Sequence, residues 1–308
     1  MDWSDPRRST AGRQPAVDPT YQIAQLVARV GDLQAVSSVV TRALECIDSS
    51  RSSSAELAAI LSTDPTLSGR LVGIANSSLH ASSRRFVTVH EAIVRVGYRN
   101  VRDLLLAAMV VGMARAPLRL YGLGPGELWR HSLATAVAAK VLVTDAKIGN
   151  PERGYMAGLL HDVGRIIFDR ALSPGEVSAV QDLVRTRNAS FHDAETAVFG
   201  FSHGEAGAYQ LQLWRVDADT IEAVAAHHRP KPGTLAAIIH TADVLAIIAT
   251  TKTVAAPGWS YAVAPKILAS LGPALAAGKD WQSRLDRFVA EIRIGVAEAD
   301  RLLSTPAQ

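Results

Sequence analysis

The chain has 308 residues, 48% of them hydrophobic and 20% charged, which is enough apolar material for a sizeable core. A net charge of +3, from 32 basic against 29 acidic side chains, argues against the clustered basic field of a nucleic-acid binder. The single cysteine, Cys46, excludes an intrachain disulfide framework and suits a reducing compartment.

Residues 1–20 read as a flexible, solvated tail carrying Arg7, Arg8 and Arg13. Residues 21–116 read as an N-terminal helical lobe. Cys46 falls in the apolar phase of LECI and is expected in the core. Ser53 with Glu56 and Thr88 with Glu91 fit capping boxes, and Asp64-Pro65 puts a capping side chain before proline at the first helical position. Apolar spacing of three and four follows at Leu57, Ile60 and Leu61. The run LLLAAMVVGM at 104–113 is apolar but too short to cross a bilayer, and no segment has the basic-then-apolar order of a signal peptide. A cytoplasmic location with no membrane contact is therefore expected.

The stretch APLRLYGLGPG at 116–126 interrupts two apolar helices with three glycines and two prolines, and it predicts an exposed interlobe connection. Residues 117–308 read as a second multi-helix lobe. Asn150-Pro151, Ser173-Pro174 and Ser202 with Glu205 mark helix starts there, and Ile221, Val224 and Ala225 keep the helical spacing. Leu285, Phe288, Val289, Ile292 and Val296 outline an amphipathic C-terminal helix over about 280–303. Almost nothing alternates with period two, so the reading is all-α, with about a dozen helices.

Seven of the nine histidines lie beyond residue 126. The run GYMAGLLHDVGRIIFD places His161 beside Asp162 in an otherwise apolar helix, either as a buried, mutually satisfied pair or as half of a metal site. His131, His203, the His227-His228 pair and Asp243 stand in similar apolar contexts, at gaps that suit one ligand from each of several successive helices. Imidazole and carboxylate together suit Fe, Mn, Zn or Co, whereas an all-oxygen set would favour Mg or Ca. On one continuous helix His161 and Asp162 would point about 100° apart, serving one ion or bridging two. His80, His90 and His192 read as ordinary core or surface histidines. His240, one turn before Asp243, reads as an outer partner rather than a ligand.

GLLHDVGR, an earlier helix histidine, the later HH pair and the closing Asp in TADVL resemble the HD superfamily of metal-dependent phosphohydrolases. DPTLSGRLVGIANSS at 64–78, HEAIVRVGYRNVRDLLLA at 90–107, ELWRHSLATA at 127–136 and FGFSHGEAGAYQLQLW at 199–214 narrow this to a resemblance to the HDOD family, a bacterial signalling module. The resemblance covers about residues 22–250 and implies an N-terminal helical lobe joined to an HD-like bundle. It implies His131, His161, Asp162 and Asp243 as the primary metal ligands, His203 and His227 (or His228) as ligands to a second ion, and one or two divalent transition ions (Fe, Mn or Zn). Arg165 takes the position where multi-metal branches such as HD-GYP carry a lysine near the substrate phosphate, and Arg165 and His228 would be the catalytic candidates. The chain departs from HD-GYP in reading HHRPKPG where that branch has its GYP loop, and it carries GDLQAV at 31–36 where the family often has prolines.

Two functions follow from this reading. One is a regulatory HDOD module acting through signalling protein partners while keeping the metal site. The other is a metal-dependent phosphohydrolase or phosphodiesterase acting on a nucleotide or cyclic nucleotide. No basic stripe with interleaved aromatics supports an RNA-binding role.

Overall fold

The structure, a computed structural model, describes residues 18–30, 38–49, 51–75, 86–147, 149–250, 263–270 and 281–304. Arg7, Arg8, Arg13, GDLQAV and His80 lie outside them. The described residues form sixteen helices and no strand, with one isolated bridge between Leu118 and Leu123. None of the helices searched is long and apolar enough to cross a membrane.

The first six helices are α1 (Pro19–Arg29), α2 (Ser38–Asp48), α3 (Ser54–Leu61), α4 (Pro65–Ala75), α5 (Val89–Val96) and α6 (Tyr98–Ala114). The caps follow the sequence signals. Ser53 accepts from Glu56 N–H, and Thr88 with Glu91 forms a complete capping box, each such cap contributing about 1 kcal/mol. Cys46 is buried in the apolar core with Leu57 and Ile93. Helix α1 departs from the expected layout. Asp18 caps it ahead of Pro19, within the stretch read as tail, and its apolar face of Ile23, Leu26 and Val27 packs on two helices of the second lobe, 163–171 and 203–213. The Asp18-Pro19 signal matches Asp64-Pro65, so the helix start was open to the same reading.

The second lobe comprises α7 (Glu127–Ala146), α8 (Pro151–Leu160), α9 (Val163–Ala171), α10 (Pro174–Arg187), α11 (Phe191–Phe199), α12 (His203–Leu213), α13 (Ala218–Ala226), α14 (Leu235–Thr250), α15 (Pro265–Ser270) and α16 (Trp281–Ser304). The helix expected at the C-terminus is α16, which buries Phe288 and Ile292 against α7 and α14. Two apolar clusters result. One runs through both lobes, from Ile23 to Val224, and the other joins α7, α14 and α16. Helix α7 supplies residues to both, so side chains along it face the centre of the molecule.

The connection at 116–126 is exposed only in part, at Ala116, Pro117, Arg119, Gly122 and Pro125. Leu118, Leu120 and Tyr121 are buried, and Leu118 and Leu123 exchange backbone hydrogen bonds. Leu120 N–H donates to Asp169 Oδ1 on α9 (2.8 Å), and the Gln181 amide donates to the carbonyls of Arg119 and Leu120. Gly122 and Gly126 supply the positive φ angles of the turn, while the apolar residues between the breakers sink into the core. Glycine and proline marked the chain reversal correctly, but they do not report burial.

Candidate metal centre

Two close helix approaches assemble the centre. A Cβ on Gly158 of α8 would lie 2.8 Å from the Thr135 carbonyl oxygen and from Ala136 Cα, so only glycine lets α8 press against α7 there. That contact sets His161 beside His131, with their Nε2 atoms 3.3 Å apart. A Cβ on Gly164 would meet the His203 carbonyl oxygen at 1.8 Å, so α9 crosses the start of α12 at glycine and delivers Asp162 to His203.

The His161-Asp162 doublet does not lie within one continuous helix. Helix α8 ends at Leu160 and α9 starts at Val163, with Asp162 at φ −103°, ψ 13°. His161 Nδ1–H donates to the Gly158 carbonyl (2.7 Å), one of the orphan acceptors at the end of α8. The break aims the two side chains at one space.

All of the expected ligand residues meet there. His131 Nε2 lies 3.1 Å from Asp243 Oδ1 and 3.5 Å from Asp162 Oδ2, and His161 Nε2 lies 3.3 Å from Asp162 Oδ2. On the other side of the same carboxylate, Asp162 Oδ1 faces His203 Nε2 at 3.3 Å and His227 Nε2 at 3.8 Å. His228 Nε2 is 2.9 Å from His203 Nε2. The donors fall into two groups able to hold an ion, His131 with His161 and Asp243, and Asp162 with His203, His227 and His228. Asp162 lies between them. His131, at 7% exposed, and Asp243, at 6%, are the most accessible of the six residues expected as ligands, and His228 is half-buried.

The tautomers decide whether these residues fit a cation. A carbonyl or carboxylate oxygen only accepts, so His161 Nδ1 facing the Gly158 carbonyl, His227 Nδ1 facing the Val224 carbonyl (2.7 Å) and His203 Nδ1 facing Glu195 Oε2 (2.7 Å) must all carry protons. In their neutral form these imidazoles turn three Nε2 lone pairs toward the oxygens of Asp162. Asp162 Oδ1 and His227 Nε2 are buried without a hydrogen-bond partner, while Arg165 Nε approaches Asp162 Oδ2 at 2.7 Å and His131 Nε2 approaches Asp243 Oδ1 at 3.1 Å. Acceptors facing acceptors in a dry interior are costly, and a cation among them removes the cost. The residues present fit divalent metal.

The acidities of the two carboxylates and of the HH pair agree with this, whereas His161 and His203 hold protons more tightly than an ordinary imidazole. Burial alone would raise Asp162, but the Arg165 guanidinium (Nε 2.7 Å away) and His161 hold its carboxyl well below the usual range. Asp243, likewise opposed by burial, is drawn down to about 2 by its hydrogen bond to His131. Burial and the neighbouring His161 and His203 push His227 far below the ordinary imidazole value. Burial, His227 and His203 do the same to His228.

Sequence reasoning missed Glu195 and Tyr121. Glu195, fully buried on α11, accepts from both the backbone N–H (2.8 Å) and Nδ1–H of His203 and from the Tyr121 hydroxyl (2.6 Å). A glutamate eight residues before a ligand histidine carries no periodic signal of its own, although its place on the apolar phase of α11 was visible. Tyr121 also lies under the Arg165 guanidinium, 4.8 Å from ring centroid to Cζ. His240 Nδ1 donates to the His227 carbonyl (2.9 Å), the outer role expected of it. His90 is exposed and meets Ser54 Oγ. His192, expected to be unremarkable, is half-buried with its ring 5.0 Å from that of His228, at the outer edge of the centre. A cavity of about 250 Å³, lined by Asn150, Arg153, Asp219, Glu222 and Thr234, contains none of the donors.

Fold and site together define an all-helical chain with a buried His/Asp cluster able to hold metal. The HDOD domain model matches residues 33–230, and the chain belongs to the HDOD family. An uncharacterised protein of Treponema pallidum (strain Nichols) is 25% identical over 218 residues, which span 68% of this chain and 40% of that protein. The chain thus matches less than half the length of that relative. Among solved structures, an HDOD domain protein of unknown function from Geobacter sulfurreducens is 24% identical with a TM-score of 0.59, covering 92% of this chain and 98% of that one. A protein of Shewanella amazonensis SB2B, provisionally named a phosphohydrolase, is 20% identical with a TM-score of 0.62 over the same shares. A protein of Marinobacter aquaeolei VT8, provisionally named for signal transduction, is 18% identical with a TM-score of 0.59, covering 96% of this chain and 69% of that one. At these identities the structures share the fold alone.

Proposed function

We propose that the chain is a cytoplasmic signalling module that acts through protein partners, with one or two divalent transition ions (Fe, Mn or Zn) locking its second lobe. His131, His161 and Asp243 would hold one ion, and His203, His227 and His228 the other, with Asp162 serving both. The observation that carries the regulatory reading is the closure of the centre. A hydrolytic metal needs an open coordination position that substrate can reach, whereas here the donors are buried. Arg165, implied by the resemblance as the contact for a substrate phosphate, is 3% exposed and engaged with Asp162 and the Tyr121 ring. His228 is the outermost donor and is half-buried. Metal bound among His/Asp donors on α7, α12 and α14, at the α8–α9 break and just beyond α13 would tie these elements together, and its loss would free surfaces that a partner reads.

The alternative, a phosphohydrolase or phosphodiesterase for a nucleotide or cyclic nucleotide, draws on the completeness of the donor set. A bound ion of this kind polarises a phosphoryl oxygen or supplies hydroxide at neutral pH. The discriminating experiment offers the metal-loaded chain a panel of cyclic dinucleotides, nucleoside monophosphates and guanosine polyphosphates with manganese or iron. The signalling reading expects no turnover above that of Asp162→Ala. Robust hydrolysis lost in that variant would replace it with the enzyme.

A further inference from the structure

From the interlobe connection, Tyr121 reaches the centre's outer shell. Its hydroxyl donates to Glu195 Oε1, and Oε2 of the same carboxylate accepts both N–H groups of His203. Tyrosine, glutamate and histidine are all buried, so water cannot substitute for a lost partner. The backbone around Tyr121 is held by the Leu118–Leu123 bridge, by Asp169 and by Gln181. Moving the 118–123 turn therefore moves the group that orients His203, while His131, His161 and Asp243 keep contacts independent of it.

We propose that Tyr121 is a positioning residue that couples the interlobe turn to the cation held by Asp162, His203, His227 and His228, and leaves the ion at His131, His161 and Asp243 unaffected. The chain of argument is geometric. Glu195 fixes the His203 tautomer with the Nε2 lone pair, 2.9 Å from His228 Nε2, directed into the proposed cation site and makes that nitrogen a stronger donor. Tyr121 holds Glu195 in the orientation that does so. Linkage makes the effect reciprocal, so an ion that favours the ordered triad also favours the ordered turn, and displacement of the turn by a partner weakens that one ion. The inference rests on the metal reading proposed above and adds a selective route by which the N-terminal lobe senses or controls one of two ions.

The test uses the full chain, stripped of metal and titrated with cobalt(II) alone, whose visible absorption reports each binding step. The wild type is expected to show two steps. Tyr121→Phe removes one hydroxyl and should weaken one step about tenfold, at the lower end of outer-shell effects, while the other stays within about twofold. Glu195→Gln keeps the side-chain shape, removes its charge and should weaken the same step further. Amide hydrogen exchange gives a readout that simple loosening of the fold would not imitate. Cobalt should slow exchange at Leu118, Leu120 and Leu123 in the wild type and lose that effect in Tyr121→Phe, with circular dichroism unchanged. Unaltered cobalt binding in Tyr121→Phe, equal weakening of both steps, or exchange at 118–123 indifferent to cobalt would each overturn the coupling while leaving the metal centre intact. A wild-type chain that takes up no cobalt would instead refute the metal reading, and the coupling with it.

Discussion

His227 Nε2 and Asp162 Oδ1 lie 3.8 Å apart in the interior, and neither atom has a hydrogen-bond partner. A mutually satisfied polar core would have closed that gap with a proton or a donor side chain. The histidine cannot supply the proton from this nitrogen in its neutral form, because its other nitrogen donates to the Val224 carbonyl. The pair therefore separates the two readings of the polar cluster, since structural polar networks are satisfied internally and metal sites are satisfied by the ion.

Removal of metal should lower stability by an amount set by mass action, about 2.7 kcal/mol when free ion stands at ~100 times its dissociation constant. Calorimetry of the wild type with and without a chelator is expected to show the shift. Asp162→Ala should contain no more than trace metal by elemental analysis, and a chelator should no longer move its melting temperature. Full metal content in that variant would remove Asp162 from the centre.

Gly164→Ala and Gly175→Ala form a matched pair on neighbouring helices. The first puts a methyl 1.8 Å from the His203 carbonyl oxygen, while the second meets nothing within 4 Å. Gly164→Ala is expected to disrupt the α9–α12 contact, lower the denaturation midpoint steeply and impair metal uptake. Gly175→Ala, in the first turn of α10, should stabilise by about 0.4–1 kcal/mol through the unfolded state. Urea denaturation of both variants checks the contrast, and a tolerated Gly164→Ala would show that the helix crossing is looser than drawn.

Much of this centre was legible because its residues announce themselves. His161-Asp162 interrupts an apolar run, the HH pair does so again, and Asp243 lies in a helix that is otherwise almost entirely hydrophobic. Helix starts were legible wherever Ser, Thr, Asp or Asn preceded proline or glutamate. The break between Leu160 and Val163 was not, because VGRIIF continues the apolar spacing and the break is imposed by tertiary packing at Gly164. Burial of Leu118, Leu120 and Tyr121 was hidden for a similar reason, since glycine and proline give the turn but not its depth. Glu195 was overlooked because its importance lies in a contact to Tyr121, 74 residues away in sequence.

Arg165 should matter most when metal is absent. Its guanidinium is the principal positive neighbour of Asp162, and removing one partner from a buried ion pair costs ~3–5 kcal/mol. Arg165→Ala is therefore expected to lose roughly that much stability after chelation and clearly less when loaded with metal, because the cation then faces the same carboxylate. Denaturant titrations under the two conditions check this. An equal loss in both would mean that the guanidinium acts through its packing on Tyr121 instead.

Metal uptake should compete with protons in one direction only. Burial opposes a charge on His161 and His203, but Asp162 beside the first and Glu195 beside the second outweigh it, so both bind protons above the ordinary imidazole value. Burial and neighbouring imidazoles move His227 and His228 the other way, leaving them neutral and ready to ligate. An incoming ion must displace protons from His161 and His203, so affinity is full at alkaline pH and declines as pH falls, beginning above the usual imidazole midpoint of about 6.5. Each displaced proton should weaken the apparent affinity ~10-fold per pH unit below that histidine's own raised value. Cobalt titrations between about pH 8 and pH 6, with proton release recorded in weak buffer, provide the measurement. Acid should consequently lower the melting temperature of the metal-loaded chain more than that of the stripped chain. An affinity flat across the range would remove His161 and His203 from the ligand set.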